Sequence, residues 1–155
     1  MNKVMLKHIS ICSLIAGLIF GVFAAIPFIG GLALFAVLFL SAPLVMLFLI
    51  MAGKCDITTG KDSIINGAIS GFFANITFAF AYCIIVALLY VVFKFTTNYF
   101  LTAAIINSPI WLLIVLILFV GVLTATTNAF SGFLTYYIIN LIRDIYERKH
   151  SSEDI

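Results

Sequence analysis

No Asp, Glu, Lys or Arg occurs in residues 9–53, 63–93 or 95–142, three runs of 45, 31 and 48 residues in a chain of 155. A soluble domain spreads charge over roughly a quarter of its residues, whereas here 9% are charged and 65% are hydrophobic. Runs of this length cannot clothe a water-facing surface, and a hydrocarbon core about 30 Å thick is crossed by about 20 apolar residues of helix. The expectation is therefore an all-α integral membrane protein forming one membrane domain.

The first run is long enough for two spans, divided at Ile26-Pro27-Phe28-Ile29-Gly30-Gly31, where a proline and two glycines suit a tight turn. The second run reads as one span with Asp62 as its N-cap. In the third, residues 95–108 are too few and too rich in Thr and Asn to cross, and Ser108-Pro109 reads as an N-cap followed by proline at the first helical position. The predicted spans are about 9–27, 31–52, 63–93 and 109–140. They are joined by a loop at 53–62 and an outer loop at 94–108, and followed by a tail at 143–155. Arg143 with Glu147 and Asp144 with Arg148 are spaced i,i+4, which supports a helix emerging into water.

Four spans form two sequential hairpins with both termini on one side. That side would carry Lys3, Lys7, Lys54, Lys61, Arg143, Arg148 and Lys149, and the other only Lys94. Under the positive-inside rule the termini and the 53–62 loop are cytoplasmic. Lys3 and Lys7 ahead of an apolar stretch, with Val22-Phe23-Ala24 behind it, imitate a cleavable signal. We expect the segment to be retained as a span, because its loss would upset the charge asymmetry. Cys12, Cys55 and Cys83 lack an oxidising setting and are expected to be free thiols.

Residues 13–26 align without gaps with residues 63–76, eight of the 14 positions being identical. Gly17 pairs with Gly67 and Gly21 with Gly71, a small-xxx-small pattern that lets helix backbones approach closely. This suggests a parallel internal repeat about an axis along the membrane normal, with the first and third spans in equivalent places and these four glycines as their close contacts. The copies differ where Ala16 becomes Asn66, Phe20 becomes Ser70 and Ala25 becomes Asn75, so the second hairpin is the polar one.

At about 100° per residue, Ser63, Asn66, Gly67, Ser70, Gly71, Ala74, Thr77 and Ala81 share a broad side of the third span, with Asn75 at its margin. Gly121, Thr124, Ala125, Asn128, Ser131, Gly132 and Thr135 share one face of the fourth, while Phe119, Leu123, Phe130, Phe133 and Leu134 cover the other. Two readings of these faces stay open. Gly17, Gly21, Gly67, Gly71, Gly121 and Gly132 with the hydroxyls and amides join helix to helix, or Asn66, Ser70, Asn75, Thr124, Asn128, Ser131 and Thr135 form an intramembrane polar site.

No carboxylate, ammonium, guanidinium or imidazole falls within a predicted span, so there is no obvious proton relay, voltage sensor or ion-coupling site. His8 and His150 are near the ends, and no His, Cys or carboxylate cluster has metal-ligand spacing. We therefore expect no enzyme, no cofactor and no metal. With a net charge of +2 there is no basic surface for nucleic acid. The expected partners are the lipid bilayer and a second copy or another membrane subunit. The expected role is a structural or interaction component, and the alternative is a pore-forming oligomer or a transporter's membrane subunit lined by the third and fourth spans.

Overall fold

The computed structural model describes residues 3–26, 28–54, 59–96 and 98–151. It is all-helical, with 90% of the described residues in helix. The helices are α1 (Lys3–Ala24), α2 (Gly30–Phe35), α3 (Ser41–Met51), α4 (Gly60–Phe93), α5 (Tyr99–Asn107) and α6 (Ile110–Ser151), and α2 runs into α3 through a π-helical turn at Ala36–Leu40. Four stretches are long and apolar enough to cross a membrane: Val4–Ala24, Gly30–Met51, Gly60–Phe93 and Ile110–Lys149.

Helix α4 is the centre of the bundle, with α1 packed along one side, α6 along another and α3 over part of its length. Small and polar residues line its inward side: Ser63, Asn66, Gly67, Ser70, Gly71, Ala74 and Asn75 are all buried. Two apolar clusters complete the packing. Ile9, Val45 and Leu49 gather at one end with Cys12 and Ile69 against them, and Ala24, Ala33, Val37 and Phe78 gather toward the other beside Phe20 and Tyr82.

Several boundaries differ from the sequence expectation, each for a local reason. Thr59, not Asp62, caps α4: its backbone is extended and its hydroxyl accepts from the Asp62 N–H at 3.2 Å. Asp62 instead stands in the first turn, where its carboxylate meets the positive end of the helix dipole. Ser108 does not cap α6. It ends α5 in an extended conformation, ψ 143°, which the following proline imposes, and the Pro109 carbonyl accepts the first bonds of α6, from the Leu112 and Leu113 N–H groups.

The 94–108 segment, expected to be a loop, contains a helix of its own, α5, because Asn98 caps it by accepting from the N–H groups of Phe100 and Leu101. Helix α6 runs 42 residues to Ser151, continuing past the expected span end near 140 through the Arg143–Arg148 segment expected as a helical tail. The last residues of the tail, 152–155, like Cys55 in the 53–62 loop and Pro27 in the first turn, lie outside the described residues.

The first turn also departs from expectation. The left-handed residue is Phe28, φ 71°, and Gly30 and Gly31 open α2. Gly30 is required there by contact, since a Cβ would lie 2.6 Å from the Ala24 carbonyl oxygen, while a Cβ at Gly31 would meet nothing. Where α3 ends, Gly53 has φ 65°; its N–H bonds Ile50 O, and the Lys54 N–H bonds Leu49 O, the paired closure of a Schellman motif.

Candidate functional site

The glycine pairs of the two aligned segments serve different interfaces. A Cβ at Gly17 would overlap the Ala74 carbonyl, and one at Gly21 would lie 2.6 Å from Phe78 O, so both seat α1 on α4. The nearest atoms to Gly67 and Gly71 belong to α6: a Cβ at Gly67 would overlap the Asn128 carbonyl, and one at Gly71 would stand 2.5 Å from Thr124 O. The expectation that all four would be close contacts between the first and third spans is thereby corrected. Of the residues that differ between the copies, Asn75 bonds α6 at Ile117 O, Ser70 meets Ser13 of α1, and Asn66 bonds neither helix. On α6, Gly132 backs onto Ser63 O and Gly121 faces the Phe72 ring.

Asn128 is wholly buried and inserts its amide into the backbone of the second span. Its Oδ1 accepts from the Ala42 N–H and from Ser41 Oγ, both at 2.8 Å. Its Nδ2 donates to the carbonyls of Val37 at 3.0 Å, Leu38 at 2.9 Å and Thr124 at 2.9 Å, two hydrogens being shared among three acceptors. In an α-helix Leu38 O would accept from the Ala42 N–H. Here each turns to the Asn128 amide, which bridges the break.

One residue on, Pro43 brings no N–H for Phe39 O and its ring crowds that carbonyl, so the wide π turn at Ala36–Leu40 falls where the α-helical ladder is already broken. Thr127 adds a bond from its hydroxyl to Leu38 O at 2.6 Å.

From Ser41 the polar contacts continue through the bundle. Ser70 Oγ donates to Ser41 O at 3.4 Å and lies 3.0 Å from Ser13 Oγ, which also reaches Ile9 O at 2.7 Å. Ser13, Ser70, Ser41 and Asn128 come from α1, α4, α3 and α6, so one chain of contacts touches all four candidate spans. Ser63 Oγ donates to Gly132 O at 2.6 Å, and Asn75 Nδ2 donates to Ile117 O at 3.2 Å, adding two further links from α4 to α6.

The remaining residues of the expected polar site are not brought into this network by their hydroxyls. Thr124, Ser131 and Thr135 bond the carbonyls of Val120, Thr127 and Ser131 in their own helix, the local satisfaction open to any helical Ser or Thr. Asn66 is buried with neither its amide oxygen nor its amide nitrogen bonded. Phe133, expected on the outer face of α6, is half-buried, its ring lying beside Gly60 at the start of α4; Phe119, Leu123, Phe130 and Leu134 are exposed.

Sequence reasoning passed over Ser13, Ser41 and Thr127 as site residues, and the signal for Ser41 was its isolation in an apolar run two residues before Pro43. Among the described residues no group of three His, Cys, Asp or Glu could hold a metal ion, and Cys12 and Cys83 are free thiols. Comparison of the chain with protein-family models, curated proteins and solved structures finds no match.

Proposed function

We propose that this chain is a structural or interaction component of a cell membrane, with both termini cytoplasmic, associating with a second copy or another membrane subunit and carrying out no enzymatic chemistry. One observation carries the reading. Asn128, the amide of the expected polar face on α6, has both ends bonded, mostly to the second span, which supports a packing role for the side of α6 that would otherwise line a water path. Polar groups at membrane depth need such internal partners, and a bundle closed in this way has its outward surface left for contacts with other proteins and lipid.

The second reading is a pore-forming oligomer or a transporter's membrane subunit with α4 and α6 along the path. It is favoured by Asn66, a buried amide without a protein partner, which a hydrated path would satisfy.

Asn66→Cys and Ser131→Cys, each in a background lacking the native cysteines, separate the two when exposed to a small aqueous thiol reagent in sealed vesicles. The component reading expects both to stay unlabelled, with Phe130→Cys as the lipid-facing control, and labelling at Asn66→Cys and Ser131→Cys would replace it with the transport reading. Energy transfer between separately labelled copies in vesicles should persist as lipid is added, and its loss on dilution in lipid would remove self-association.

A further inference from the structure

Beyond the polar network, a cavity of about 470 Å³ lies among the second span, α4, α5 and α6, within the size range of small-molecule sites. Leu34 and Val37, Phe78 and Tyr82, Leu101 and Leu116 supply much of its wall, and no acidic or basic side chain lines it. The second span meets α6 through the π turn and α3. The cavity thus occupies the part of the bundle beyond that meeting, with α5 packed on α4 beside it.

Two amides line this apolar space, Asn75 and Asn98. Asn75 is 3% exposed. Its Nδ2 is held by Ile117 O, and its Oδ1 has no hydrogen-bond donor among the described residues. Asn98 has its Oδ1 taken by the start of α5, so only its amide hydrogens remain.

Those facts select a ligand. A hydrocarbon would leave the Asn75 oxygen unpartnered in an apolar site, which is costly. A phosphate or carboxylate would be buried without a cation. Water alone does not fill a largely apolar cavity of this size. What fits is an apolar chain ending in an uncharged donor.

We propose that the cavity binds a neutral long-chain alcohol-type lipid, its hydroxyl donating to Asn75 Oδ1 and its chain lying along the Leu34, Phe78 and Leu116 walls.

The test uses the full chain in phosphatidylcholine nanodiscs and a long-chain alcohol bearing a diazirine. Photolabelling should map to α4 near Asn75 and to α6 near Ile117. Unlabelled hexadecanol should compete, and hexadecyl phosphate and hexadecane should not. Asn75→Leu should weaken labelling at least about tenfold, the scale of one lost buried hydrogen bond.

Ala79→Trp, which leaves the amide in place and fills the space, should abolish labelling while gel-filtration behaviour and helical circular dichroism match the parent. If Asn75→Leu fails to fold, Ala79→Trp decides alone. Equal competition by the phosphate or the alkane, labelling spread over the outer face of α6, or unchanged labelling in a folded Ala79→Trp protein would overturn the proposal.

Discussion

Asn128 shows how one side chain can decide the path of another helix. Its amide meets Leu38 O and the Ala42 N–H, which an unbroken α-helix would join to each other. Asn128→Leu should leave the Ala42 N–H without its partner and remove the bonds to Val37 O and to Leu38 O, while Ser41 Oγ keeps Val37 O and Leu38 O keeps the Thr127 hydroxyl. Individual interhelical bonds in membranes average about 0.6 kcal/mol and orphaned buried groups cost more, so a loss of about 2 kcal/mol is expected, read as a lowered unfolding midpoint in detergent. Ser131→Ala should be close to neutral in the same measurement, because its hydroxyl bonds only Thr127 O of its own helix.

Asn66 should behave in the opposite sense. With both amide atoms buried and unbonded, Asn66→Leu is expected to raise the midpoint, and a fall would mean that the amide holds a water molecule. The importance of these amides was legible from their place among apolar residues. Their partners were not, because Ser41 and Asn128 are 87 positions apart and helical periodicity relates only residues a few positions apart.

Among the elements, glycine divides into positions that contact demands and positions it does not. Gly71→Leu should force α4 from α6 and lower stability by several kcal/mol, since the side chain would have to displace Thr124 O and the Asn128 side chain. Val22→Leu, at a residue 48% exposed, should change little. In α2 the neighbouring pair gives a finer comparison. Gly30→Ala would drive its methyl into the Ala24 carbonyl, while Gly31→Ala enters open space and should add about 0.5 kcal/mol through helix propensity. Thermal unfolding of the four variants in one detergent checks both pairs.

The spacing of small residues four apart marked these positions as contact sites, but spacing carries no information on which helix approaches. The π turn was likewise hidden. Pro43 alone permits a kink, a break or a bulge, and the choice depended on an amide arriving from α6.

For the molecule as a whole, orientation is the property that a reporter measures most directly. Fusions after Lys61 and after Ile155 should report the cytoplasm, and one near Asn107 the opposite side; an outside signal at Lys61 would show that the first apolar run does not cross twice. Helix α6 is about 63 Å long at 1.5 Å per residue, roughly twice the hydrocarbon thickness, and its residues 143–149 are exposed. A tail standing out of the bilayer accommodates that length and the charges it carries.

The amino-acid sequence by itself determined that the chain is helical, that four stretches have the length and apolarity to cross a membrane, and which faces of the last two are polar. These properties depend on the transfer of each segment into lipid and on its own backbone bonding. Only the tertiary structure decided that α4 lies between α1 and α6, that the two glycine pairs face different neighbours, that Asn128 is consumed within the bundle, and that a cavity opens beyond it beside Asn75. In a medium without a hydrophobic drive between helices, association rests on close packing and on hydrogen bonds between particular atoms, and no single segment contains both sides of such a contact.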